Sequence, residues 1–310
     1  MSDLGHPRPH PTDPARRGSI GVAIRDSEVA ALDARGIASV ASRLDGVVDY
    51  WVLGSQRSAP AVDPTVVTAI AARYTARLGY VVAASVHRDH PYNLARRLLS
   101  LDHATRGQLG WLATDSDPAI GFGTTGDSWT DHRLGPDHTS AAIGAVRALW
   151  RSWPLDSVVA DRKRGIFVDT ERVTAADVDD RYRIAGPLPL PGPRQSAIPV
   201  FGRGIGPTSD GNPDVVLSEI FVELRDHPVV HVNALDDLTL PDAADGQLLT
   251  VSLGALDDAV AAVRHHRKQQ GDPPLAPTLR ARLGLPTPPA LDLDARRRIF
   301  PTAVPVAGRV

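Results

Sequence analysis

The chain has no cysteine in its 310 residues. Disulfides, thiolate metal sites and a cysteine nucleophile are therefore excluded. It also has no apolar run approaching the ~20 residues a membrane-spanning helix needs. Strong charge of one sign is missing too. A formal net charge of −2 supports neither a nucleic-acid footprint nor a polybasic membrane anchor. There is no Walker loop, no Gly-x-Gly-x-x-Gly at a strand–helix junction, no Ser-His-Asp pattern and no internal repeat. Residues 1–18 are rich in Pro, His and Arg and lack an apolar centre. They read as a disordered lead-in rather than a secretory signal, and a cytoplasmic protein is the expectation.

What remains is globular composition, with 42% hydrophobic and 23% charged residues. The length suits one large α/β domain, since single barrels run to ~250 residues. The 27 prolines cluster at 186–193, at 273–289 and in both tails, where they mark loops.

Apolar runs and helical patterns alternate from residue 19. Residues 19–24 read as a strand. Val29, Leu32, Ile37, Val40 and Leu44 recur at helical spacing, so 27–45 reads as one amphipathic helix. Residues 47–53 and 80–85 read as apolar strands, continuous as parallel strands are under helices on both faces. Between them Asp63-Pro64 opens a helix with an N-cap and an N1 proline. A helix from Pro91 and a strand at 108–113 follow. This rhythm predicts a parallel sheet. Residues 115–137 lose periodicity before a helix at 139–152. The irregular stretch 154–197 is too long for an ordinary connection, so about 115–197 reads as a functional insertion or lid. A fifth strand falls at 198–201, with weaker strand signals at 229–233 and 248–253. A helix at 257–270 ends in His265-His266-Arg267-Lys268, which reads as dipole capping and solvation. Residues 271–310 read as a Pro-rich, loosely packed tail, leaving 19–270 as the main domain.

The most specific stretch runs from His90 to Trp111. It holds Pro91-Tyr92-Asn93-Leu94-Ala95-Arg96-Arg97, then Leu101-Asp102-His103, a glycine turn and Gly110-Trp111. A second patch is Val146-Arg147-Ala148-Leu149-Trp150-Arg151-Ser152-Trp153, followed by Asp161-Arg162 and Gly165-Ile166-Phe167-Val168-Asp169. A third is Tyr182-Arg183-Ile184-Ala185-Gly186-Pro187-Leu188-Pro189-Leu190-Pro191. In this order the three resemble segments of the bacterial-luciferase-like flavin-dependent monooxygenases, in the branch of the nitrilotriacetate, dibenzothiophene-sulfone and pristinamycin monooxygenases. The resemblance runs from about residue 20 to about 204.

It implies a (β/α)8 TIM-type barrel that binds reduced FMN at its strand C-terminal ends, the usual face for barrel chemistry. A partner flavin reductase would supply the reduced flavin, which reacts with O2 to oxygenate a small organic substrate. A deazaflavin is the variant cofactor of related barrels. Association as a homo- or heterodimer is implied, with no nucleic acid and no membrane partner. Only residues 205–270 are left for three βα units before the tail. A complete barrel and one incomplete or rewound at its C-terminal side both stay open.

Flavin contacts carry over one by one. Gly54 stands where the family often has Asp. Ser85 keeps the first hydroxyl of a Ser/Thr pair at the end of the third strand, and Val86 loses the second. Leu112 replaces the Asn of Gly-Trp-Asn. His132 keeps a family His, while Pro136 replaces its Tyr. Thr208 and Ser209 are the nearest hydroxyls to the family's phosphate-binding Ser, in a Gly-rich loop that suits backbone N–H contacts. The cofactor residues expected are therefore Ser85, His132, Thr208 and Ser209. No catalytic acid or base is assigned, and no metal is expected.

Several of these readings have plainer versions. His132 also suits a solvated loop. His87, Asp89 and His90 suit a polar loop ending in an N-cap, beside the alternative of His87 as a base. His87, His90 and His103 lack the spacing of a metal site. Trp111 fits a core or a flavin-pocket wall. The losses at Gly54, Leu112 and Pro136 also fit a non-catalytic homologue acting as a partner subunit or ligand-binding protein.

Overall fold

The computed structural model describes residues 18–55, 62–86, 89–115, 135–204, 211–220, 224, 227–240, 245–270 and 276–300. Ten strands and seven α-helices occur among them. These are β1 (Ser19–Ile24), α1 (Asp26–Ala30), α2 (Ala34–Leu44), β2 (Tyr50–Leu53), α3 (Pro64–Ala71), β3 (Gly79–Ala84), α4 (Pro91–Ala104), β4 (Leu109–Ala113) and α5 (Pro136–Trp150). They continue as β5 (Val178–Asp179), β6 (Arg183–Ile184), β7 (Val200–Gly202), β8 (Val215–Ser218), β9 (Val229–Val232), β10 (Gly246–Val251), α6 (Leu256–Gln270) and α7 (Leu279–Arg282).

Eight strands close a parallel barrel in the order β1-β10-β9-β8-β7-β4-β3-β2, while β5 and β6 pair outside it. The closing seam is complete, six register pairs from Ser19↔Gly246 to Ile24↔Val251. Alternation along each strand divides the side chains. Ala23, Tyr50, Val52, Val81, Ala83, Leu112, Phe201, Leu217, Val230 and Leu248 fill the interior. Their neighbours Val22, Trp51, Val82, Trp111, Val200 and Leu249 lie in the second cluster, shared with the helices.

The barrel is therefore complete, which settles the choice against an incomplete one. It fits because the links between the last strands are short. Between β7 and β10 no helix occurs among the described residues. The β8–β9 and β9–β10 links span only 219–228 and 233–245. A crossover with its own helix needs at least ~10–12 residues, so these links have little or none to spare.

Three other expectations change. The helix at 27–45 is two, because Asp33 accepts the Gly36 N–H at 2.7 Å and starts α2 afresh. The proline-rich C-terminal segment is not loose where it is described, because α7 plugs the barrel base. Leu279 is fully buried there, and a Cβ at Gly79 would stand 2.8 Å from its Cδ1. The Arg282 guanidinium donates to the Asp49 carbonyl (2.6 Å) and to Gln108 Oε1 (2.7 Å), tying the starts of β2 and β4. Arg267 is more than a helix-end charge, since it forms a buried ion pair with Asp49.

The described part of the 115–197 insertion includes α5, which packs on α4. The stretch after β6 then descends along these helices. Tyr92 donates to the Pro187 carbonyl (3.2 Å) and His103 Nε2 meets that of Pro191 (2.9 Å). Asp102, fully buried, accepts the Arg194 N–H (2.8 Å) and Gln195 Nε2–H (2.6 Å).

Candidate active site

The C-terminal strand ends form the barrel mouth, and Ser85 sits there directly after β3. Val81 and Ala83 point inward, so alternation carries Ser85 to the same side. It is 2% exposed, and its Oγ has no hydrogen-bond partner among the described residues. Its backbone is well held, because the Ala84 carbonyl accepts both Trp111 Nε1–H (2.9 Å) and the Thr114 N–H (3.3 Å). A buried hydroxyl without a partner loses its water and gains nothing in return. An incoming polar ligand would restore that bond, so Ser85 fits a flavin contact.

Beside it, the end of β2 is Gly54, in the left-handed region at φ +83°. Its N–H donates to Asp26 Oδ1 at 2.8 Å. Asp26 is buried and opens α1 after β1. A carboxylate thus stands next to Gly54 after all, delivered from the neighbouring strand. Sequence comparison at a single position does not reveal it, because the two residues meet only through strand pairing.

His132, Thr208, Ser209 and His87 lie outside the described residues. Asp89 forms an ion pair with Arg97 at 2.7 Å. His90 is the N-cap of α4, its Nδ1 accepting the Tyr92 N–H at 3.2 Å, and burial holds its pKa below the usual value. His103 sits at the other end of this 14-residue helix, roughly 20 Å away at 1.5 Å per residue, so the two do not share a site. Among the described residues, no cluster of three or more His, Asp or Glu is arranged to hold a metal. Trp111 points outward and meets Trp150 edge-on at 6.3 Å, so it is a packing residue and not a pocket wall. Leu112 is fully buried in the interior. Pro136 is the first residue of α5, where its missing N–H costs nothing.

The sequence reading missed one cluster at this end. His138 near the start of α5 is buried, and its Nδ1 lies 3.2 Å from the Tyr182 hydroxyl. His90 packs edge-on against the same ring at 6.0 Å. Burial pushes the Tyr182 phenol up to about 12. Tyr182 lies in a family-like segment, whereas nothing in the sequence marked His138.

No family model matches the chain. One of the subunits of pristinamycin IIA synthase, from Streptomyces pristinaespiralis, is 31% identical over 288 residues, covering 88% of this chain and 91% of that protein. Dibenzothiophene-sulfone monooxygenase of Rhodococcus erythropolis is 30% identical over 159 residues, covering 50% of this chain and 34% of its own length. The chain thus spans nearly all of the first relative and about a third of the second. Among solved structures, a riboflavin lyase with modified FMN and riboflavin superposes with a TM-score of 0.66 at 15% identity, over 86% of this chain and 96% of that one. That likeness shows the barrel fold. With the long match to the pristinamycin protein, the closed barrel and the three segments in family order, the chain belongs to the luciferase-like flavin-dependent monooxygenases.

Proposed function

We propose that the chain is the oxygenating component of a two-component system, using reduced FMN from a separate flavin reductase and O2 to oxygenate a small organic molecule. The observation that carries this is the buried, unpartnered Ser85 Oγ at the mouth of a barrel of this family. Ser85, with His132, Thr208 and Ser209, would hold the flavin's phosphate and ribityl chain. Bound reduced flavin supplies the two electrons that leave one oxygen atom of O2 on the substrate and the other in water. Asp26 fixes the Gly54 backbone beside it. The apolar interior below, from Ala83 to Leu112, keeps water from the site's floor. FMN is favoured over a deazaflavin because a solved barrel of this fold holds a modified FMN. A cytoplasmic setting goes with this supply of reduced flavin. No helix among the described residues is long and apolar enough to cross a membrane.

A second barrel of the family is the partner we assign to the open groove on α3 and α4. Its volume is about 630 Å³, and its lining includes Ala34, Val66, Ile70, Tyr74 and Arg97. Val66 and Tyr74 are exposed there, while the small side chain of Ala34 lets another helix approach. Sedimentation velocity should show a dimer that Tyr74→Asp weakens, and a monomer at all concentrations would rule out the homodimer.

Titration with FMN and reduced FMN tests the function. Micromolar binding is expected. Removing one hydrogen bond to a ligand costs ~0.5–3 kcal/mol, so Ser85→Val and His132→Ala should each weaken binding about 2- to 150-fold. If neither flavin binds the wild type, the enzyme reading falls.

A further inference from the structure

α5 starts beside the mouth, where Thr139 Oγ1 donates to Asp115 Oδ1, just after β4, at 2.6 Å. Its 15 residues carry its other end roughly 20 Å away. Arg151 caps that far end, and two other segments meet it there. The Thr174 N–H donates to the Ser152 carbonyl at 2.9 Å. Thr174 in turn pairs with Arg298 in an antiparallel bridge, and the Ala175 N–H donates to the Arg297 carbonyl at 2.8 Å. Arg151 itself donates through Nη2 to the Pro289 carbonyl at 2.9 Å. The C-terminal segment thus lies against the end of α5 from Pro289 to Arg298.

This junction leaves donors unused. Thr174 is fully buried, and its hydroxyl has no partner among the described residues. Arg296 Nη1 is likewise buried and unpartnered among them. Arg296 stands two residues before Arg298, so strand alternation returns its side chain to the Thr174 face. Burial, and after it the Arg151 charge, hold the Arg296 pKa below its usual value, against the pull of Asp177. The carboxylates nearby are engaged. Asp177 pairs with Arg297 at 2.6 Å. Glu171 and Asp294 face Arg298 at 3.8 and 3.9 Å, and Asp292 Oδ1 accepts the Asp294 and Ala295 N–H groups at 3.1 and 3.3 Å. The helix dipole favours a cation at Arg151. It does nothing for the buried N–H of Arg296 or the hydroxyl of Thr174.

We propose that Arg151, Arg296 and Thr174 form a binding site for a tetrahedral oxyanion, phosphate or sulfate. Two guanidinium groups and a hydroxyl suit its oxygens, and charge-assisted bonds of this kind are the strong ones. An anion between the two cations also replaces their repulsion by attraction. Bound there, it fastens the segment that continues from α7 onto α5. The site stands away from the mouth and does not depend on the flavin reading.

The test is calorimetric titration of the full chain with sodium phosphate and with sodium sulfate at constant ionic strength, with and without FMN. One site of millimolar affinity or tighter is expected. Arg151→Gln and Arg296→Gln should each weaken it about tenfold, and Thr174→Val severalfold, as loss of a hydrogen bond to a charged group does. Arg296→Lys keeps the charge and should retain part of the binding, which supplies a folded variant if the glutamine does not. Arg35→Gln, exposed on α2, should match the wild type. FMN should leave the phosphate affinity unchanged. Absence of saturable binding overturns the proposal, as does binding that ignores both arginine substitutions. Binding that vanishes when FMN is present places the anion in the flavin site and overturns it too.

Discussion

Leu279→Ala is the sharpest probe of how the barrel is closed at its base. Leu279 is fully buried and shares the interior cluster with Val81, Leu112 and Phe201. Its neighbours are strands, anchored by register on both sides, so they have little room to collapse into the space it leaves. The truncation removes three carbons, worth ~0.8 kcal/mol each by transfer alone. The unfilled cavity raises the total to ~3–5 kcal/mol, the upper part of the range for Leu→Ala. Urea denaturation followed by tryptophan fluorescence measures it, since Trp51, Trp111 and Trp150 are all buried against the barrel. The midpoint should fall with an unchanged slope. Phe300→Ala, at a half-exposed position of the same segment, should stay within ~0.5 kcal/mol of the wild type. The plug lies at the base and the chemistry at the mouth, so FMN affinity of the folded variant should not change. A loss below ~1 kcal/mol for Leu279→Ala would mean that the C-terminal segment does not plug the barrel, and the reasoning would fail.

Two further predictions concern buried charge. Burial pushes the Asp102 carboxyl up to about 6 from 3.8, against the opposing bonds from Arg194 and Gln195. A raised folded pKa contributes stability below pH 3.8 that is lost as pH rises through about 6. A gap of ~2 units corresponds to ~3 kcal/mol, so wild type should lose about that much relative to Asp102→Asn between pH 4 and 7. Chemical denaturation at both pH values checks this, and a pH-independent difference contradicts it. Arg267→Met keeps much of the side chain's bulk but removes the Asp49 carboxylate's ion-pair partner, leaving it the Ile20 N–H and the nearby Arg282 charge. Breaking a fully buried pair costs ~3–5 kcal/mol, and at this part-buried site, with Arg282 still near Asp49, the loss should be about 1–3 kcal/mol. A urea midpoint equal to that of the wild type would show that the pair contributes nothing.

Legibility followed the range of the interaction. The first four barrel strands were readable because each is a continuous apolar run framed by helices with their own caps, such as Asp63-Pro64. β8 went unread, because Val215–Ser218 is four residues long and no helix follows it among the described residues to complete a pattern. α7 was hidden for a related reason: Leu279–Arg282 has a single large apolar side chain, and its role comes from strands some 170–200 residues earlier. Arg267 looked like helix-end charge because Asp49 is 218 residues away. At the site, Ser85 was singled out by its family position alone, at the end of the third strand. Asp26 was not, since only the pairing of β1 with β2 brings it to Gly54.

The central claim is that the mouth of this barrel holds reduced flavin on Ser85. A crystal structure of the protein soaked anaerobically with reduced FMN tests it most directly. The account predicts flavin density at the C-terminal strand ends, with Ser85 Oγ within hydrogen-bonding distance of the phosphate or ribityl chain. Flavin bound away from the mouth, or at the mouth with the Ser85 hydroxyl still unpartnered, would contradict it.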